Sequence, residues 1–263
     1  MIPFAIVLAT LTAGIGSVWL AAALSFGALA RYTQHMLSLA AGALLSTAFM
    51  HLLPKAFESR VEAHDLFLAL LAGLVFFFLL SKAELWHHGH EHHHRPEHSH
   101  QAHEHDSADP VSQTSASWVV LAGDSVHCCG DGILIASAFM ADMQLGLLAA
   151  AAVLVHEVPH HMGDLIVLGQ ATSNRRMALL KVSLAGAVTA LGGLVGYWLV
   201  DWLQDYLPYF LVVASGSFIY VALADLIPQL QKQLDLRQTA AQVAWLMSGI
   251  ALVTVVSLAP HGH

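Results

Sequence analysis

Charge is what this chain has least of. Only 11% of its 263 residues are Asp, Glu, Lys or Arg, and just ten are basic. Phosphate binding needs clustered Lys and Arg, so ten scattered cations in a chain of net charge −8 exclude nucleic acid as a partner. Cysteine is almost absent too. The two that occur, Cys128 and Cys129, are neighbours, a poor geometry for a mutual disulfide, so packing or ligand roles remain for them. The opening apolar run lacks both the Lys or Arg of a signal peptide and a convincing cleavage site, and therefore reads as a first spanning helix. What the chain has instead is apolar bulk: 57% hydrophobic residues and a mean hydropathy of +0.63 lie far outside soluble averages. The composition is that of a polytopic membrane protein with the lipid bilayer as its main solvent.

Stretches of about twenty apolar residues are needed to cross roughly 30 Å of hydrocarbon. They recur at 3–24, 36–53, 65–84, 117–140, 145–170, 178–200, 208–228 and 239–259, giving eight expected spans. The organisation expected is helices one to three in 1–84, a histidine-rich loop in 85–116, helices four and five in 117–171, and helices six to eight in 172–263. The loop carries H-H-G-H-E-H-H-H-R-P-E-H-S-H and continues to His105, a low-complexity tract too polar for a core. Cytoplasmic loops are enriched in Lys and Arg. With the N-terminus outside, Arg31, Lys82, Arg95, Arg175, Arg176, Lys181, Lys232 and Arg237 fall inside, and only Lys55 and Arg60 outside. Both termini are then outside and the histidine tract faces the cytoplasm, with the cell (inner) membrane as the expected location. Span two ends in A-F-M-H-L-L-P and span seven in A-L-A-D-L-I-P, each with a polar residue three before a proline. These spans run in opposite directions, as inverted repeats of transporters do, placing His51 toward the outer surface and Asp225 toward the inner one.

Within the apolar runs two polar stripes stand out. V-H-E-V-P-H-H-M-G-D places His156, Glu157, His160, His161 and Asp164 within three helical turns, and the preceding span carries Asp124, His127, Cys128 and Asp131 at i, i+3, i+4 and i+7. Burying Asp124, Asp131, Glu157 and Asp164 unpaired in hydrocarbon would cost on the order of 10 kcal/mol, and these spans hold no Lys or Arg to pair with them. Cations or protons must supply the countercharge. Imidazole, carboxylate and thiolate donors together suit a borderline transition metal, zinc first and then Fe(II), Mn(II), Co(II) or Cd(II), whereas Ca(II) and Mg(II) want oxygen alone. In antiparallel helices Asp131 and His127 share a depth with His156, Glu157 and His160, while Asp124, His161 and Asp164 lie nearer the cytoplasm. Pro159 frees the carbonyl of Val155 and is expected to kink the ligand helix. Gly130, Gly132 and Gly163 are expected to allow close helix approach, and His35 and His64 to serve as interhelical hydrogen-bond donors.

These residues resemble the Zrt/Irt-like, or ZIP, family of metal-ion transporters. H-E-V-P-H-H-M-G-D is similar to the H-E-x-P-H-E-x-G-D signature of the branch with a histidine-rich loop, and D-S-V-H-C-C-G-D-G to its D-x-x-H-N-x-x-D-G. The resemblance implies an all-α membrane fold of eight transmembrane helices in a 3+2+3 arrangement with inverted repeats, helices four and five central, often as a homodimer. It also implies metal uptake toward the cytoplasm, with no resident cofactor beyond the transported ion. By motif position, His127, Asp131, His156 and His160 would form the primary metal site, and Cys128, Glu157 and a shared His160 its neighbour. His51, Asp124, His161, Asp164 and Asp225 would line the path. Cys128 stands where the family has Asn and His161 where it has Glu; span six offers Thr189 but no carboxylate.

One competing chemistry is written in the same letters. His156 to His160 is H-E-x-x-H, the zinc metalloprotease motif in which Glu is the general base, and Asp131-Gly132 superficially matches the Asp-Gly pair of intramembrane proteases. Against it, the Asp-Gly precedes the motif, a proline lies inside it, and further ligands would fill the open water position that catalysis needs.

Overall fold

The computed structural model describes residues 1–25, 33–89, 110–172, 174–230 and 235–258. Among them every regular element is helical. Helix α1 (2–25) joins Ile2–Leu11 and Ser17–Ser25 through a π-helical turn, Thr12–Gly16. Helix α2 (33–57) has a π turn at Ala48–Leu52. There follow α3 (Ala63–Gly89), α4 (Pro110–Ala141), α5 (Met143–Thr172) and α6 (Arg175–Trp202). Helix α7 (207–230) carries a third π turn, Val221–Leu226, and α8 is Leu236–Leu258. The histidine tract beyond Gly89 lies outside the described residues.

The short links work because their side chains cap the helices they start. Asp142 alone separates α4 from α5, and its Oδ1 accepts from the backbone N–H of Gln144 (2.8 Å) and Leu145 (3.1 Å). Asn174 does the same for α6 through the N–H groups of Arg176 and Met177. Pro159 does not end α5, which continues without a break to Thr172.

Seven of these helices are long and apolar enough to span a membrane. The eighth, α4, has ample length at 32 residues. Asp124, His127 and Asp131 sit in its middle and stripe it with polar side chains. Among the described residues there are thus eight long helices, as the sequence leads one to expect, one of them striped with polar residues. Burial then separates centre from rim: 72% of the apolar stretch of α5 is buried, against 11% in α3 and α8. Phe76, Leu184, Trp198 and Val255 project outward, the inverse of a water-soluble surface.

Small residues let α4 lie against α6. A Cβ on Gly132 would strike the backbone of Thr189 and Gly193, one on Gly192 the backbone of Cys129, and one on Gly196 that of Ile133. Gly14 and Gly186 bring α1 against α6 in the same manner, and Gly42 and Gly249 join α2 to α8. The expectation for Gly130 and Gly163 is not met, since nothing lies within 4 Å of a Cβ at either. These two stand on the open side of their helices. His64 is exposed, and His35 stacks on Trp245 at a centroid distance of 5.7 Å.

Candidate metal centre

The stripes of α4 and α5 meet, and their donor atoms sort into three linked groups. The first combines His127, Asp131, His156 and Glu157. His156 Nε2 lies 3.2 Å from Asp131 Oδ2 and 3.1 Å from Glu157 Oε1, and His127 Nε2 lies 3.2 Å from the same Glu157 oxygen and 3.8 Å from Asp131 Oδ2. None of these four atoms makes a hydrogen bond. They all lie within 4.8 Å of one another. Zinc holds nitrogen and oxygen at 2.0–2.2 Å, so two ligands on a tetrahedron sit about 3.3 Å apart. The observed separations bracket that value. His156 Nδ1 lies 3.2 Å from the carbonyl of Ala152, which as an acceptor places the ring proton on Nδ1 and leaves Nε2 with its lone pair toward the group.

The second group is Asp124, Cys128, Glu157 and His161, all buried. Glu157 bridges the two: Oε1 faces the first group, and Oε2 lies 3.1 Å from His161 Nε2. Asp124 Oδ1 is 3.7 Å from both His161 Nε2 and Cys128 Sγ. The third group is Asp124, His160 and Asp164. His160 Nδ1 lies 3.4 Å from Asp164 Oδ2 and 3.7 Å from Asp124 Oδ1. Its side chain is 48% exposed, so this group opens outward while the others do not.

The donors group differently from the motif order: His160, expected to be shared by the two sites, stacks on His127 at 5.4 Å with its ring nitrogen near Asp124 and Asp164, whereas Glu157 lies in both of the first two groups. One residue of extra advance along α5, about 100°, carries position 161 rather than 160 under the second group. His161, read from the motif as a residue of the path, therefore stands among the donors, and Asp124 belongs to two groups. His51 lies in the π turn of α2, half-buried with Nε2 lacking a hydrogen-bond partner, and joins none of the three. The backbone of Asp225 lies in the π turn of α7, and its side chain falls outside the described residues. Sequence reasoning missed Ser17, one of four hydroxyl residues in an otherwise apolar helix, whose Oγ lies 3.0 Å from His161 Nδ1. No spacing rule could pair residues 144 positions apart.

An all-α bundle with lipid-facing aromatics and a buried nest of imidazole, thiol and carboxylate donors defines a membrane protein built to meet metal cations. A sequence profile described as ZIP zinc transporter matches residues 81–257. The chain belongs to the ZIP family. It is 27% identical over 245 residues to zinc transporter ZIP13 of Pongo abelii, covering 86% of this chain and 67% of that protein. It is 31% identical over 256 residues to zinc transporter ZIP4 of Homo sapiens, covering 78% and 39%. Zinc transporter foi of Drosophila melanogaster is 30% identical over 150 residues, 57% of this chain and 21% of that protein. The chain thus spans two-thirds or less of these relatives' own lengths.

Proposed function

We propose that the chain imports divalent metal, chiefly zinc and secondarily Cd(II), Fe(II), Mn(II) or Co(II), into the cytoplasm by alternating access through the α4–α5 centre. The observation that carries this reading is the convergence of His127, Asp131, His156 and Glu157 without hydrogen bonds among their facing atoms. Two carboxylates neutralise a dication and two imidazoles replace its water, so the ion crosses hydrocarbon as a near-neutral complex. Glu157, with one oxygen in each of two groups, can hold the departing ion while the next donors engage it. His51 receives the ion outside, and Asp225 assists its release inside. The histidine tract collects or senses cytoplasmic metal without being required for transport.

The 3+2+3 arrangement with inverted repeats is supported by which helices touch. Exchanging α1–α3 with α6–α8, and α4 with α5, turns the α4–α6 contact into α1–α5 and the α2–α8 contact into α3–α7, and all four occur. The matching π turns of α2 and α7 fall on the two echoed proline segments. Placement in the cell membrane with both termini outside, and assembly as a homodimer, complete the proposal.

The protease alternative is disfavoured by Glu157 itself. Its carboxylate is enclosed by His127, His156 and His161, leaving no open side on which to activate a water against a peptide. The test is zinc uptake into liposomes by the purified chain. His127→Ala or His156→Ala should abolish uptake, and zinc-dependent peptide cleavage lost on Glu157→Gln would overturn the reading.

A further inference from the structure

We propose that His161, oriented by Ser17 of α1, is the fourth ligand of a second divalent-metal site shared with Asp124, Cys128 and Glu157. This rests on the reading of the α4–α5 cluster as metal-binding and adds the ligand and the device that aims it. His161 is 0% exposed, so both ring nitrogens need partners. Nδ1 has Ser17 Oγ at 3.0 Å, and Ser17 Oγ in turn lies 2.6 Å from the carbonyl of Gly14. A hydroxyl has one proton, and the shorter contact to a carbonyl takes it. The Ser17 oxygen must then accept from His161, which fixes a proton on Nδ1, so that in the neutral ring Nε2 carries the lone pair. That lone pair faces Glu157 Oε2 at 3.1 Å and Asp124 Oδ1 at 3.7 Å, oxygens that as carboxylates only accept. With the ring neutral, these lone pairs repel one another unless a metal ion or a proton lies among them, and a metal ion there takes the place of the Cys128 thiol proton that Asp124 Oδ1 otherwise accepts.

The dimensions suit such a cation. Zinc–sulfur and zinc–oxygen bonds of about 2.3 and 2.1 Å put tetrahedral S and O ligands about 3.6 Å apart, and Cys128 Sγ lies 3.7 Å from Asp124 Oδ1. One sulfur, one nitrogen and two oxygens make a softer set than the first group, favouring Zn(II) and Cd(II). Ser17 acts from outside the α4–α5 pair. It directly follows the π turn Thr12–Gly16, whose Gly14 is seated on Gly186 of α6, so the packing of α1 sets the ring of His161. Ser17 is a positioning residue and touches no ion.

Purified full-length chain in detergent, titrated with Co(II), tests this. Expected are two ions per chain, one showing thiolate-to-cobalt charge-transfer absorption that disappears in Cys128→Ser and persists in Cys129→Ser. Ser17→Ala should weaken the thiolate-marked ion about 10- to 100-fold, the range for partners that orient a ligand histidine, and leave the other ion unchanged; Ser17→Thr should restore it. His161→Ala should abolish the band while the first ion still binds, which also reports an intact bundle. If His161→Ala loses both ions, the Ser17 pair decides in its place. Wild-type affinity of the marked ion in Ser17→Ala and in His161→Ala overturns the proposal, as does the absence of a thiolate band in the wild type. Two ions bound with no zinc uptake into liposomes would instead overturn the transport reading alone.

Discussion

At the scale of single residues, the first group depends on carboxylate and imidazole atoms that face one another and make no hydrogen bond elsewhere. Replacing Asp131 by Asn keeps the shape and removes half of the countercharge in the first group, so zinc affinity should fall at least about 100-fold by isothermal titration, roughly 3 kcal/mol. Imidazoles and a thiol bind metal only after losing their protons. Zinc affinity should accordingly decline as the medium is made more acidic, and calorimetry in buffers of different ionisation enthalpy should register proton release on binding. The donor types were legible in the sequence because charged residues in hydrocarbon need a reason to be there. Their grouping was not, since a stripe fixes which residues share a helix face but not how one helix is rotated against another. That rotation places Glu157, and not His160, within reach of both donor groups, turns His161 inward, and brings Ser17 of α1 beside it.

At the scale of helices, the glycines divide into those under a neighbour and those in the open. Gly132→Ala drives a methyl into the backbone of α6 at Thr189 and should cost about 1–3 kcal/mol with a lowered Tm. Gly130→Ala, two residues earlier, meets nothing and should change stability by less than about 0.5 kcal/mol. Equal losses in a thermal-melt assay would mean that α4 is not packed on α6 through this seam. Pro159 permits a sharper test of the ligand helix. Ala at this position restores an N–H to the carbonyl of Val155, so turnover should drop while zinc affinity at equilibrium holds. Span number and most helix limits were readable from hydropathy.

At the scale of the whole molecule, the distribution of basic residues predicts an orientation that can be checked directly. A cysteine in place of Asp142 or Asp205 should react with an impermeant maleimide on intact cells, and one in place of Arg176 only after permeabilisation. The native Cys128 is buried and will contribute little background. The three π turns carry a further consequence. Each stores one residue of slack in a helix that otherwise advances about 100° and 1.5 Å per residue. If the slack at Thr12–Gly16 were drawn out, everything after it in α1 would slip by one step, and Ser17 would swing away from His161 while α4 and α5 stayed where they are. His51 and the backbone of Asp225 sit within turns of the same kind, so a one-step slip there would re-aim the residues at the two ends of the route without tilting a single helix.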